Sequence, residues 1–297
     1  MTAAAISPSP GGMSRRAGLN RYQLVTVLLL PILLVNLISF ILPSLNLLRM
    51  SFNRSVAGGA IEQAFTFENY FDVMTDWFYL ELVWNSLYIC GIITLVTLVL
   101  SYPIALFIHR TSAKWRSALT LLVISPLLVS AVVRTYGWII ILSDQGFING
   151  LLMWAGVTDQ PMRLVFNNFG VIVGLVEILM PYMILSLLAG FGRLDPTLEE
   201  AAQSLGAKRW KTLFRVTIPL TVPGIALGCL LVFVLSISSF ITPKLLGGGR
   251  VFLLATEIYD QAMILLNWPV AATLSMLILV IFGIALWFYS RVVKSFE

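Results

Sequence analysis

Charge along this chain is confined to short intervals, and six apolar runs separate them. Residues 22–48, 82–108, 216–243 and 261–290 carry no Asp, Glu, Lys or Arg. Residues 117–133 are also clean and end at Arg134, and residues 164–192 contain one charge, Glu177. A helix needs ~20 mostly apolar residues to cross a bilayer. The pattern therefore predicts six spans, near residues 22–47, 82–108, 117–142, 168–192, 219–243 and 269–290. Only 11% of the residues are charged and 59% are hydrophobic, against ~25% charged in an ordinary soluble domain. That composition excludes a soluble enzyme, a disordered chain and a disulfide scaffold. The net charge of +5 is too small and too dispersed to suggest a nucleic-acid partner.

Lys and Arg are enriched on the cytoplasmic side of membrane proteins. With six spans, 13 of them fall on one side, in the N-terminal arm, the 109–116 and 193–215 loops and the tail; five fall on the other. Four acidic residues lie on the basic side and nine opposite. Both termini are thus expected to be cytoplasmic. The 27 uncharged residues of the first run exceed the ~7–15 of a signal-peptide core, so an uncleaved helix is expected. Residues 1–20, rich in Ala, Ser, Pro and Gly, are expected to form a disordered cytoplasmic arm, and 21–297 a single transmembrane domain. Outside, residues 49–81 read as an exposed acidic and aromatic segment. Residues 251–266, interrupted by Glu257 and Asp260, read as an amphipathic helix on the outer surface. Cys90 and Cys229 sit in apolar runs and read as small buried hydrophobes. His109 reads as a solvated interfacial side chain.

The inner loop 192–224 is the exception to an otherwise short set. Asp195 is placed to cap a helix beginning at Pro196, whose missing amide suits that position. Glu199 and Glu200 fall in the first turns, where the helix dipole favours carboxylates. Gly206 permits the reversal that ends a helix. A second helix is expected to carry Trp210, Leu213, Phe214 and Thr217 on one face, with Lys208, Arg209, Lys211 and Arg215 elsewhere. Pro219 and Pro223 mark re-entry into the membrane. The product is a helix–glycine–helix elbow.

These residues carry a resemblance. Glu200-Ala201-Ala202, Gly206 and Val216-x-Ile218-Pro219 resemble the EAA loop of ABC importer permeases. Val216 and Ile218 stand where the family pattern has Ile and Leu. Stretches such as "NSLYICGIITLVTLVLSYPIALFIHR" and "VRTYGWIIILSDQGFINGLL" extend the likeness to the spermidine/putrescine-type permeases over most of residues 80–280. The resemblance implies an all-α membrane protein with the six-helix type I ABC importer permease fold (MetI-like). It implies that Glu199, Glu200, Ala201, Ala202, Leu205, Gly206 and Ala207 form the surface that couples to an ATPase. It also implies a second permease, most simply a different chain, two copies of a cytoplasmic ATPase, a periplasmic solute-binding protein and surrounding lipid in a bacterial inner membrane. ATP and Mg would be bound by the ATPase. This chain has no GxxxxGK[ST] phosphate loop, and Gly247-Gly248-Gly249 reads as a close-packing turn. No cofactor or enzymatic activity is expected of the chain itself.

An ionisable side chain inside a span is a functional candidate. Glu177 lies nine residues after Asn168, roughly 13 Å along a helix, and suits a cationic solute or, structurally, a hydrogen-bonded interface. Arg134 lies eighteen residues after Arg116, about 27 Å along a straight helix. Beside Tyr136 and Trp138 it reads either as a snorkelling residue in an aromatic belt or as part of an outer gate. Ser236, Ser238, Ser239 and Thr242 are candidates for lining the path. The expected function is passage of a small, polyamine-like cation by alternating access. The alternatives are import of an opine or amino-acid derivative, an ion-coupled carrier using Glu177, and a docking scaffold.

Overall fold

The computed structural model describes residues 21–56, 59–192 and 194–295. The expected N-terminal arm and Arg193 lie outside them. Helix α1 (Arg21–Ser51) continues through Pro31 and Pro43. Up to Leu47 it is a unit by itself, and the chain from Leu48 onward packs as a second. From Leu29 to Pro43 its side chains are exposed on every face. A helix that is apolar all round belongs in an apolar surrounding.

The acidic–aromatic segment forms an ordered cap. Strands β1 (Arg54–Val56) and β2 (Ala60–Glu62) pair as a small antiparallel hairpin, an addition to the expected all-helical chain. The short helix α2 (Glu68–Thr75) follows. Asn69 Nδ2 donates to the carbonyls of Ser51 and Asn53, both at 2.8 Å, and Arg54 pairs with Glu68 at 2.6 Å. Phe52 stacks on Phe65 and meets Phe67 edge-on.

Helix α3 (Trp77–Arg110) starts at Asp76, whose carboxylate accepts the Phe78 N–H. Next come α4 (Ala113–Ile124), a 3-10 turn at Ser125–Leu128, α5 (Ala131–Leu142) and α6 (Phe147–Trp154). The third span is therefore not the straight helix expected over 117–142. Its two parts meet at 92°. Val129 and Ser130 are extended, and Ser130 caps a new helix through the Val132 N–H. The bend also voids the depth inferred for Arg134, because α5 runs across the direction of α4. Among the described residues five helices are long and apolar enough to cross a membrane, six if the bent pair counts as one span.

Helix α7 (Asn168–Phe191) is followed by α8 (Pro196–Ser204), α9 (Arg209–Thr212), a π turn at Leu213–Thr217 and α10 (Ile218–Ser238). The fifth span ends at Ser238 rather than near residue 243, since Ser239 is extended. The short α11 (Ile241–Leu246) and α12 (Leu254–Tyr259), a π turn at Asp260–Ile264 and α13 (Trp268–Lys294) complete the chain. Residues 251–266 are helical in part and only partly at the surface: Phe252, Tyr259 and Met263–Leu266 are exposed, but one side is buried. Leu254, Thr256, Glu257 and Gln261 are buried, and α12 packs on α10 and α13.

Helix α7 is the hub. In its most apolar stretch 61% of the residues are buried, against 28% in α3 and in α13, and it packs on both α3 and α10. Lipid gives helices no hydrophobic reason to associate, so close backbone packing has to supply the attraction. Here Gly190 on α7 faces Gly224 on α10, and a Cβ on Gly224 would stand 2.7 Å from the Gly190 Cα. One turn on, Gly228 leaves room for the Met183 sulfur. Gly224→Ala is expected to destabilise the detergent-purified protein by about 1–3 kcal/mol, the usual cost of overpacking. Gly91→Ala in α3, with nothing within 4 Å of the added carbon, should not. Equal thermal midpoints for the two variants would contradict this packing account.

Candidate functional site

The first candidate region is the elbow between α7 and α10. Asp195 caps α8 by accepting the Thr197 N–H at 3.0 Å. That backbone bond, aided by the Thr197 side chain, holds the Asp195 carboxyl below the usual carboxylate range. The cap is thus at full strength above the ordinary pKa and is lost as pH falls through the lowered one. At the other end the Gly206 N–H donates to the Gln203 carbonyl and the Ala207 N–H to the Ala202 carbonyl, at 2.9 and 3.1 Å. Gly206 has φ +83°. This is a Schellman closure, which needs a left-handed residue after the helix.

The two adjacent glutamates face different surroundings. Glu199 turns inward: it accepts the Thr217 hydroxyl at 2.6 Å and sits 3.2 Å from the Arg110 guanidinium. It ties α8 to the end of α3 and the start of α10. Glu200, Ala201 and Leu205 are exposed, Leu205 at 89%. Ala202 and Ala207 are half-buried. The expected single face of Trp210, Leu213, Phe214 and Thr217 is split. The π turn adds a residue to the helical period and swings Thr217 into the bundle, where it is fully buried. Trp210 and Phe214 stay outside, stacked at 6.3 Å. With Lys208, Lys211 and Arg215 they line an open groove of about 510 Å³. Arg110 and Thr217 were not candidates from sequence, since nothing in their spacing shows which glutamate they meet.

The second region lies within the bundle. Arg134 on α5 and Glu177 on α7, read as separate candidates, form one ion pair at 3.2 Å. The Trp138 indole donates to the other carboxylate oxygen at 3.3 Å. The Arg134 side chain is only 13% exposed, so it does not snorkel. Its Nε is buried without a partner. Tyr136 is exposed and does not join the pair. Ser236 is buried and donates to the Phe233 carbonyl, while Ser239 is half-buried at the break after α10. Ser238 likewise bonds back to its own helix. Thr242 reaches across to Thr135 at 3.0 Å, joining α11 to α5 beside Arg134. His109, expected in solvent, is half-buried with its ring stacked on Phe191 at 5.3 Å. In the glycine turn Gly247 and Gly248 are closely packed, against the Pro243 carbonyl and the Phe166 ring, whereas Gly249 has open space around it and is marked only by its positive φ.

Residues 101–295 match the family described as "Binding-protein-dependent transport system inner membrane component". The chain belongs to this family and is a multi-pass inner-membrane permease of the ABC importer class. It is 38% identical over 250 residues to the spermidine/putrescine transport system permease protein PotB of Salmonella typhimurium (strain SL1344), covering 84% of this chain and 87% of that one. It is 36% identical over 276 residues to the PotB permease of Haemophilus influenzae, covering 93% and 95%. In fold it is similar to a bacterial alginate ABC transporter solved with a periplasmic protein bound to an alginate pentasaccharide. The TM-score is 0.70 at 22% identity, over 90% of this chain and 93% of that one.

Removing one member of a largely buried ion pair strands the other, whereas removing both does not. Arg134→Met alone should therefore impair assembly or transport more than Arg134→Met combined with Glu177→Gln. A coupling energy of about 0.5–3 kcal/mol in a double-mutant cycle is expected. Strictly additive effects would show that the two side chains act independently.

Proposed function

We propose that the chain is the permease subunit of a polyamine importer, passing a spermidine- or putrescine-like cation from a periplasmic binding protein to the cytoplasm. The observation that carries this reading is the likeness, over most of the chain, to permeases named for spermidine and putrescine. Both termini are cytoplasmic in this reading, as the distribution of Lys and Arg requires. The elbow then faces the cytoplasm, where a partner ATPase reaches it. A second permease, a different chain, completes the pathway.

The division of labour within the elbow follows from exposure. Glu200, Ala201 and Leu205 meet the ATPase, with Ala201 small enough for close approach and Glu200 free to pair with a basic group. Glu199 does not touch the partner; it fixes the elbow to α3 and α10, so a push on α8 moves the inner ends of two spans together. Gly206 sets the angle between α8 and α9. Closure of the ATPase pair on ATP biases the assembly toward one of two packings, and hydrolysis returns it. Ala202 and Ala207 serve by closing the turn.

The test is the complete system in proteoliposomes, with radiolabelled putrescine presented by the binding protein. Wild type should show ATP-dependent uptake and solute-stimulated ATP hydrolysis. Glu200→Arg should lower both at least about tenfold through a repulsive contact while leaving membrane insertion intact. Gly206→Val should do the same, because a β-branched side chain is disfavoured at positive φ. Unimpaired coupling in both variants would remove the elbow from the mechanism. Wild-type uptake driven by an ion gradient without ATPase would overturn the reading as a whole.

A further inference from the structure

The outer end of the bundle also holds the ion pair Lys244–Asp260, contributed by residues counted in the sequence only as loop charges. The Lys244 ammonium on α11 contacts both carboxylate oxygens of Asp260, at 2.5 and 2.6 Å. The same nitrogen lies 5.8 Å from the centre of the Tyr259 ring. Phe240 stacks on the other part of this wall, 5.2 Å from Tyr259 and nearly parallel to it. A carboxylate beside an aromatic face is the chemistry that recognises an alkylammonium ion, through a charge-assisted hydrogen bond and a cation–π contact. A lysine side chain is itself a primary alkylammonium on a four-carbon stem, chemically the end of a diamine tethered to the protein.

The site is reachable and short of positive charge. Asp260 and Lys244 are 24% and 33% exposed, and Tyr259 and Phe240 are also open to the outside. One turn before Asp260, the Glu257 carboxylate is only 7% exposed and has no cationic partner among the described residues. It accepts from Gln261 Nε2 at 2.8 Å, and the buried Gln261 Oε1 has no donor. Among the described residues Asp260 thus has Lys244 as its cationic partner, and the Glu257 carboxylate on the preceding turn has none. A hydrogen bond also joins the two elements that carry Lys244 and Arg134. Thr242, two residues before Lys244, bonds to Thr135, the neighbour of Arg134.

We propose that Asp260, Tyr259 and Phe240 form a subsite for one primary ammonium of the transported cation, and that Lys244 is its built-in occupant. Arriving solute displaces Lys244, and Lys244 closes the subsite again once the solute has moved on. This rests on the cationic-solute reading above.

The test is equilibrium binding of radiolabelled putrescine to the assembled permease–ATPase complex, with the solute-binding protein left out so that its own affinity does not mask the subsite. Lys244→Met removes the competitor and should tighten binding about tenfold, the scale of one charge-assisted hydrogen bond. Asp260→Asn should weaken binding by at least about as much. The double variant should bind as poorly as Asp260→Asn alone. A merely structural pair predicts the opposite: Lys244→Met binds no better than wild type, and the double variant recovers what either single change loses. Either result overturns the subsite, as does the absence of binding by both wild type and Lys244→Met. A gain of affinity in Lys244→Met cannot arise from misfolding. Wild-type uptake in the complete system is measured in parallel. Its absence refutes the polyamine reading, whereas uptake with the structural pattern of binding refutes the subsite alone.

Discussion

The contact between Gly190 and Gly224 sets the frame for the rest of the molecule. Two helices that touch at backbone distance behave as one body, and the polypeptide joining them is held at both ends. That joining segment is the elbow. Because α7 and α10 are clamped this close to their inner ends, α8 cannot drift as an ordinary loop does. Glu199 adds a third anchor by bridging Thr217 on the π turn and Arg110 at the end of α3. A short helix with three fixed points transmits displacement, whereas one tied only by its ends absorbs it. The coupling role proposed for the elbow rests on this backbone approach.

Two parts of this arrangement were legible in the residues. The long charge-free runs located the spans because runs of ~20 apolar residues satisfy their backbone in lipid as helices, barrel strands being only about half as long. The elbow was readable because its signals are local: Asp195 before Pro196, and Gly206 where the chain reverses. Local signals survive without knowledge of the tertiary fold. The bend in the third span was not read. Proline at 126 gave no warning on its own, since α1, α3, α7 and α10 all run through prolines. The break comes from Val129 taking extended backbone and Ser130 capping a new helix, a combination that the apolar pattern of 117–142 does not display. The Arg134–Glu177 and Lys244–Asp260 ion pairs were missed for a related reason. Arg134 and Glu177 are 43 residues apart, and Lys244 with Asp260 looked like unrelated charges in an outer loop.

The roles assigned to neighbouring residues illustrate the limit of motif reading. A helical wheel sets Glu199 and Glu200 about 100° apart but, drawn without partners, does not say which of them faces inward. In the folded chain one is an internal strut and the other is exposed. Likewise Trp210, Phe214 and Thr217 share a face in an ideal α-helix, and a single π turn sends Thr217 inward. The extra residue of that turn is what lets Glu199 find a hydroxyl. A change of helical period cannot be seen in residue types, and here it decides which side chains meet the bundle and which face outward.

The central claim is that the exposed tip of this elbow is gripped by a nucleotide-consuming partner. Placing a photo-crosslinking amino acid at Leu205, the most exposed apolar position of the tip, in the assembled transporter tests it directly. The account predicts a crosslink to the ATPase subunit whose yield changes between the ATP-bound and nucleotide-free states. Crosslinks to lipid alone, or a protein crosslink indifferent to nucleotide, would contradict it.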